Sequence, residues 1–178
     1  YPMKKFIFIL AAALLAGLWS CKQPAKRTDE APIIGKPAIE IKSDLMTPEV
    51  LWAFGRISEP EVSPDGKTVL YGVTYYDIAQ NKGNRELYTI GVDGQDQKQI
   101  TKTRFSEYQA MWSHDGSKIR FMSAESGSMQ LWEMNPDGTG RRQLSDISTG
   151  INGYRFSPDD TKLLYTADYT PENPHKDL

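Results

Sequence analysis

The sequence predicts an all-β fold, a partial β-propeller with blades of four antiparallel strands, preceded by a signal peptide and one short helix. Three observations support this prediction. A four-residue turn occurs three times, at spacings of 50 and 44 residues, and an apolar strand pattern follows each copy. A second strand and a second turn also recur 44 residues apart. The composition, with 39% hydrophobic and 25% charged residues among 178, is that of a globular protein.

The repeated turn combines residues that favour a reversal of the chain. Its three copies are Ser63-Pro64-Asp65-Gly66, Ser113-His114-Asp115-Gly116 and Ser157-Pro158-Asp159-Asp160. Proline presets φ at a corner, aspartate hydrogen-bonds to the nearby backbone, and glycine adopts the left-handed conformation without steric cost. In the third copy Asp160 takes the glycine position, which aspartate tolerates better than most residues do.

Each turn is followed by apolar residues at alternate positions, which is typical of a half-buried strand. These residues are Val69 and Tyr71, Ile119 and Phe121, and Leu163 and Tyr165. The elements that recur 44 residues apart are Leu87, Tyr88 and Ile90 with Leu131, Trp132 and Met134, Asp93-Gly94 with Asp137-Gly138, and Ile100-Thr101 with Leu144-Ser145. Four short strands in 44 to 50 residues match one propeller blade, whereas a β-sandwich gives no reason for such recurrence.

A short helix is predicted ahead of the first blade, with Thr47 as its N-cap, Pro48 in its first turn and a stop at Gly55. We place this helix at 47–56 and expect it to pack on the propeller or on a partner domain. The propeller then occupies 57–178, which holds about two and a half blades. Because a closed ring has about four to eight blades, the prediction is an incomplete propeller.

The first residues have the pattern of a secretory signal. Lys4 and Lys5 precede an apolar run of 13 residues, about 20 Å long as a helix and too short for the roughly 30 Å hydrocarbon core. Cys21 follows, and the segment resembles the lipobox of bacterial lipoproteins, in which this cysteine is lipidated and becomes the mature N-terminus. We therefore predict a signal peptide at 1–20 and lipid attachment at Cys21. The alternative is a stray thiol behind a plain signal peptide or membrane anchor.

Residues 21–46 are predicted to be a flexible spacer between the lipid and the folded domain, because their polar residues and prolines show no periodicity. The expected location is the periplasm or cell envelope. No acidic residue follows Cys21 before Asp29, so we expect anchoring to the outer membrane.

No catalytic, cofactor or metal site is predicted. The G-x-S-x-G nucleophile elbow does not occur in the sequence. The two histidines, His114 and His175, fit a turn and a polar tail better than catalysis. One cysteine with two distant histidines does not support a zinc site, and the aspartates of the glycine turns lack calcium-loop spacing. A net charge of −2 with interspersed signs gives no reason to expect nucleic acid.

Glu59 and Glu61, near the start of the first blade, are the remaining candidates for a binding role. On the wall of a propeller channel, such carboxylates would hold a substrate amine. The aromatic residues at repeat positions are interpreted as core between blades and not as a ligand platform: Tyr88, Trp112, Phe121 and Trp132.

The repeated turn and its strand resemble the propeller repeat of TolB and of the prolyl oligopeptidase family. Longer runs are similar to the N-terminal region of bacterial dipeptidyl peptidase V-type enzymes of that family. These runs are Thr47-Pro48-Glu49, Arg56-Ile57-Ser58-Glu59, Ser63-Pro64-Asp65-Gly66-Lys67-Thr68, Asn84-Arg85-Glu86-Leu87-Tyr88, Lys98-Gln99-Ile100-Thr101, Gly127-Ser128-Met129-Gln130-Leu131-Trp132 and Arg141-Arg142-Gln143-Leu144-Ser145. Together they extend over roughly 47–168.

The resemblance implies the propeller of an exported serine exopeptidase that releases dipeptides from peptide N-termini. Its α/β-hydrolase domain, with Ser, Asp and His, is expected to be missing from this chain, which would then be inactive and would gate access by admitting short peptides. The resemblance is also compatible with a homodimeric parent enzyme. The alternative is a TolB-like propeller lipoprotein that acts as a periplasmic protein-binding module.

Overall fold

The computed structural model describes residues 32–169 as one short helix, ten strands and their connections. The helix, α1 (Pro48–Ala53), precedes all ten strands. The predicted signal peptide at 1–20, the predicted lipid site Cys21, and His175 lie outside the described residues.

The ten strands of the described region form three antiparallel sheets, each with its strands in sequential order. The first sheet contains β1 (Arg56–Val62), β2 (Thr68–Asp77), β3 (Lys82–Gly91) and β4 (Lys98–Gln99). The second contains β5 (Tyr108–Trp112), β6 (Ile119–Ser123), β7 (Gln130–Met134) and β8 (Arg142–Gln143). The third pairs β9 (Gly153–Phe156) with β10 (Leu163–Thr166). Because sequential four-stranded sheets are the blades of propellers, the predicted partial β-propeller is confirmed.

The repeated turn joins the first two strands of each blade by the same hydrogen bonds. In the first copy, the Ser63 hydroxyl donates to Asp65 Oδ1 (2.6 Å) and accepts from the Thr68 N–H (2.9 Å). The second and third copies repeat both bonds. The fourth turn residue is left-handed as expected, with φ of +72° at Gly66 and +56° at Asp160. The serine therefore closes the turn, a role that the sequence pattern did not reveal.

The middle strands of the first two blades are buried on both faces, so the expectation of half-buried strands is wrong for them. In β2, the consecutive residues Leu70, Tyr71, Gly72 and Val73 are all buried. The second blade packs against the first blade on one side and the third sheet on the other, whereas the first blade packs against the second blade and against α1. The main cluster draws on the first two sheets and consists of Leu70, Leu87, Ala110, Ile119, Phe121 and Met134, with Ile100, Trp112 and Trp132 packed against it.

The helix α1 begins and ends close to the predicted positions. Thr47 Oγ1 accepts from the Val50 N–H (3.4 Å), and the helical conformation stops at Phe54. The Trp52 ring meets the Tyr76 ring edge-on, with 5.5 Å between centroids, so the helix packs on the first sheet.

Asp160 connects the third sheet to the second. Its Oδ2 accepts from the His114 N–H (3.0 Å), and its Oδ1 forms an ion pair with Arg120. The residue that departs from the glycine of the repeat therefore supplies a contact between blades. Tyr154 adds another contact, because its buried hydroxyl lies 2.8 Å from the Gln109 carbonyl and 2.7 Å from the Arg120 carbonyl.

Candidate functional site

The first strands of the three sheets face one open cleft with a volume of about 530 Å³. Its walls are formed by 59–61 of β1, 109–111 of β5 and 153–155 of β9, with 164–166 of β10 at one side. The first three segments follow one another at offsets of 50 and 44 residues, the same offsets as the repeated turns. Equivalent positions of successive blades therefore form the cleft, as expected for the wall of a propeller channel. We call it the channel cleft.

Two strained residues mark the rim of the channel cleft. Glu59 and Gln109 have φ of +51° and +49°, and each lies at an irregularity in the pairing of its strand with the next. Both occupy the same position of the repeat. A left-handed conformation is uncommon outside glycine and costs on the order of 1 kcal/mol or more, so the surrounding contacts must hold it.

The Glu59 carboxylate supplies those contacts. Its Oε2 accepts from Arg85 Nη2 (2.7 Å) of β3 and from the Gln109 N–H (2.9 Å) of β5. One carboxylate thus bonds to the first blade and to the second. Because these bonds reach both blades, Glu59 positions the rim of the channel cleft.

Glu61 and Arg155 place opposite charges inside the channel cleft. Burial raises the pKa of Glu61, against a backbone hydrogen bond from Trp112 and the positive charge of Arg155. Among the residues described, Arg155 has no carboxylate within salt-bridge distance, and its Nη1 lies 2.8 Å from the Met111 sulfur, a weak acceptor. The guanidinium and the Glu61 carboxylate are therefore two charged groups of opposite sign that this cleft offers to a ligand.

The other candidate residues from the sequence lie in a turn or pack in and around the core. His114 is exposed in its turn, as expected. Phe121 is fully buried and Trp112 and Trp132 pack on the core, so their interpretation as core is confirmed. Tyr88 is half-buried and stacks on Tyr71. Within 32–169 no cluster of histidine, cysteine and acidic side chains has the arrangement of a metal site.

Sequence reasoning missed Gln109 and Arg155. The repeat offsets could have identified both residues. An offset of 50 residues aligns Glu59 with Gln109, and offsets of 50 and then 44 residues align Glu61 with Met111 and Met111 with Arg155. In the described residues no helix is long and apolar enough to span a membrane.

Comparison with known proteins agrees with this architecture. The family model for the TolB beta propeller domain matches residues 35–173. The chain belongs to this TolB propeller family. A solved structure with a similar fold is acylaminoacyl peptidase from Pyrococcus horikoshii, which is 20% identical and superposes with a TM-score of 0.56. The superposition covers 72% of this chain and 19% of that chain, and it supports the fold alone.

Two curated relatives of this TolB propeller are more similar in sequence. Dipeptidyl-peptidase 5 of Porphyromonas gingivalis is 47% identical over 143 residues, which is 78% of this chain and 21% of the relative. Dipeptidyl-peptidase 5 of Porphyromonas endodontalis is 38% identical over 136 residues, or 76% of this chain and 20% of the relative. The chain thus spans about a fifth of the length of the curated relatives that it matches.

Proposed function

We propose that this chain belongs to the propeller of a serine-type dipeptidyl peptidase, where it helps to admit short peptides to a catalytic domain. The observation that carries the proposal is the 47% identity to a dipeptidyl-peptidase 5 over 78% of the chain. Identity at this level over so many residues favours a shared activity over a shared fold alone. Exclusion of folded proteins by the channel is part of the proposal.

The channel cleft is suited to this gating role. Its rim is held by Glu59, and the hydroxyl of Tyr154, another lining residue, lies within hydrogen-bond distance of the Gln109 and Arg120 carbonyls. Inside it, Glu61 and Arg155 carry charges opposite to those of a peptide's amino and carboxyl termini. A rigid opening with apolar and charged walls favours a thin, extended ligand over a folded domain.

Catalysis is assigned by this proposal to the parts of the dipeptidyl-peptidase relatives that the match does not cover. We expect the protein encoded by the complete reading frame to release dipeptides from peptide N-termini and to be blocked by a serine-directed inhibitor. The purified segment 21–178 is expected to show no such release. Both are measured with chromogenic dipeptidyl substrates.

Inhibitor-sensitive hydrolysis by 21–178 alone would contradict this division of roles. A complete protein that folds and lacks peptidase activity would favour the alternative, a TolB-like protein-binding module.

We also propose that the protein is lipid-anchored through Cys21, facing the periplasm from the outer membrane. The support is the lysine-rich start, the apolar run and the position of the cysteine in the sequence. Cys21→Ser is expected to abolish incorporation of a labelled fatty acid and to move the protein from the membrane fraction to the soluble one. Unchanged labelling of the Cys21→Ser variant of this 178-residue chain would refute the assignment, since Cys21 is the one cysteine in it.

A further inference from the structure

Two glutamates from consecutive blades meet in the interior. Glu86 lies on β3 and is 2% exposed, and Glu107 immediately precedes β5 and is 0% exposed. The hydroxyl of Thr101 lies between them, with Oγ1 2.6 Å from Glu86 Oε2 and 3.1 Å from Glu107 Oε2. Buried carboxylates this close to one another cannot both carry a charge without a large cost.

The hydrogen count around Thr101 requires an additional proton. Oγ1 already accepts from the Leu87 N–H (2.8 Å), and its single hydrogen is directed to one carboxylate only. The shorter distance assigns that hydrogen to Glu86. The remaining contact with Glu107 Oε2 is then a hydrogen bond only if Glu107 is protonated and donates to Thr101 Oγ1.

Thr103 leads to the same result. Its hydroxyl lies 2.7 Å from the Phe105 carbonyl and 3.0 Å from Glu107 Oε1, and it has one hydrogen for these two acceptors. Burial raises the pKa of Glu86 as well, but Glu86 has more donors, because its Oε1 accepts from the Thr103 N–H (2.7 Å) and from Asn84 Nδ2 (2.9 Å). With the Thr101 hydrogen directed to Glu86, Glu107 Oε2 is the carboxylate oxygen of the pair that lacks a donor, so it is the oxygen that holds the proton.

The charged groups that face the pair come from the second blade and from β3 itself. Arg141, in the turn between β7 and β8, donates from Nη2 to Glu107 Oε1 (3.0 Å) and from Nε to the exposed Glu125 (2.7 Å). A neutral carboxylic acid fits this geometry, since its carbonyl oxygen accepts from Arg141 and its hydroxyl donates to Thr101. On β3 the Tyr88 phenol stays neutral, because burial and nearby groups raise its pKa to about 12.

The second blade contains an uncharged version of the same network. At an offset of 44 residues, Gln130 takes the place of Glu86, Ser145 that of Thr101 and Ile151 that of Glu107. Ser145 Oγ accepts from the Leu131 N–H (2.8 Å) and lies 2.7 Å from Gln130 Oε1. The repeat therefore needs no charge at these positions, and the two glutamates are a departure particular to the first blade.

We propose that Glu86 and Glu107 share one proton at neutral pH, which makes the junction between the first two blades a pH-sensitive latch. With the proton, Glu107 bonds to Thr101 and so joins the start of β5 to the first blade. Without it, two carboxylates face one arginine in a site closed to water, and the Thr101–Glu107 bond is lost. The inference does not depend on the proposed peptidase activity.

The direction of the pH effect follows from the pKa of Glu107. Burial, followed by the charge of Glu86, raises this pKa from 4.5 to about 8, against Arg141 and the threonine hydroxyls. A group that binds its proton more tightly when folded stabilises the fold fully below its unfolded pKa and loses this effect as the pH rises through its folded pKa. Stability from this site is thus lost between about pH 4.5 and about pH 8.

The test is a titration of the full chain and of Glu107→Gln, which imitates the protonated acid. Relative to this variant, the folding equilibrium constant of the wild type is expected to fall by up to tenfold per pH unit across that window and to stay level above it. Urea unfolding at each pH gives the constants. In parallel, ¹³C NMR of labelled glutamate, assigned by Glu107→Gln, follows the Glu107 carboxyl directly and is expected to show a raised pKa.

Two further variants separate the latch from a general effect of charge. Glu86→Gln, the residue pattern of the second blade, is expected to move the Glu107 transition to lower pH, because the Glu86 charge helps to raise that pKa. Glu125→Gln, which removes the exposed partner of Arg141, is expected to leave the pH of the Glu107 transition nearly unchanged. A Glu107 carboxyl that titrates near pH 4.5, or a Glu107→Gln variant with the wild-type pH profile, overturns the proposal.

Discussion

Replacing Gly138 with alanine is expected to lower the free energy of unfolding by about 3 kcal/mol. Gly138 lies in the second turn of the second blade with φ of +88°, a left-handed conformation that costs a residue with a Cβ on the order of 1 kcal/mol. A Cβ there would also lie 2.3 Å from the Ile100 carbonyl oxygen of the first blade. Because that oxygen belongs to the backbone, the two blades must separate. Urea unfolding followed by tryptophan fluorescence measures the loss.

The matched control is Gly94→Ala. Gly94 is the equivalent residue of the first blade, with φ of +82°, and a Cβ there meets no atom within 4 Å. This variant is expected to lose only the conformational part, about 1 kcal/mol. The difference between the two variants then measures the contact between blades. Equal losses would show that Ile100 does not press on the turn.

Glu59→Ala is expected to lower the free energy of unfolding by about 2 kcal/mol. The substitution leaves Arg85, whose side chain is 6% exposed, without its carboxylate, and leaves the Gln109 N–H without an acceptor. Buried Arg85 Nε already has no partner in the described region, so the guanidinium depends on Glu59. We reduce the magnitude below that of a fully buried pair because the Glu59 side chain is 43% exposed. Urea unfolding again provides the measurement.

Glu61→Ala serves as the control on the same strand and in the same cleft. Glu61 has no ion pair within 4 Å among the described residues and accepts one backbone hydrogen bond, from Trp112, so its loss is expected to lower the unfolding free energy by about 1 kcal/mol or less. If both variants lose the same stability, then the pairing of Glu59 with Arg85 and Gln109 does not hold the rim. A Glu59→Ala variant as stable as the wild type leads to the same conclusion.

Much of the fold was predictable because the deciding interactions join residues close in the chain. The turn at Ser63 is closed by bonds to residues two and five positions away, and the same residue types reappear in each copy. The helix start at Thr47 is equally local. Period-two patterns identified the strands but gave the wrong burial for the middle strands of the first two blades, because such patterns describe a sheet with one wet face and these strands are buried on both.

The candidate site was predictable only in part. The sequence indicated Glu59 and Glu61 as residues of a channel wall, and both line the cleft. It did not indicate that Arg85 and the Gln109 N–H donate hydrogen bonds to the Glu59 carboxylate, since these residues are 26 and 50 positions away from Glu59 in the chain. Positions that differ between copies of the repeat were the available signal for contacts between blades. Asp160 stands where the other copies have glycine, and Glu107 stands where they have isoleucine.

By itself, the sequence determined the repeat, the turns, the strand order within a blade and the family, because each depends on short-range chemistry that every copy shares. Only the tertiary structure decided how the copies differ. Gly94 and Gly138 are the same residue in the same turn, yet only Gly138 meets the backbone of another blade. Glu86 and Glu107 become a pair only when two blades stack. The physical reason is that contacts between blades depend on their relative placement, which local preferences leave open.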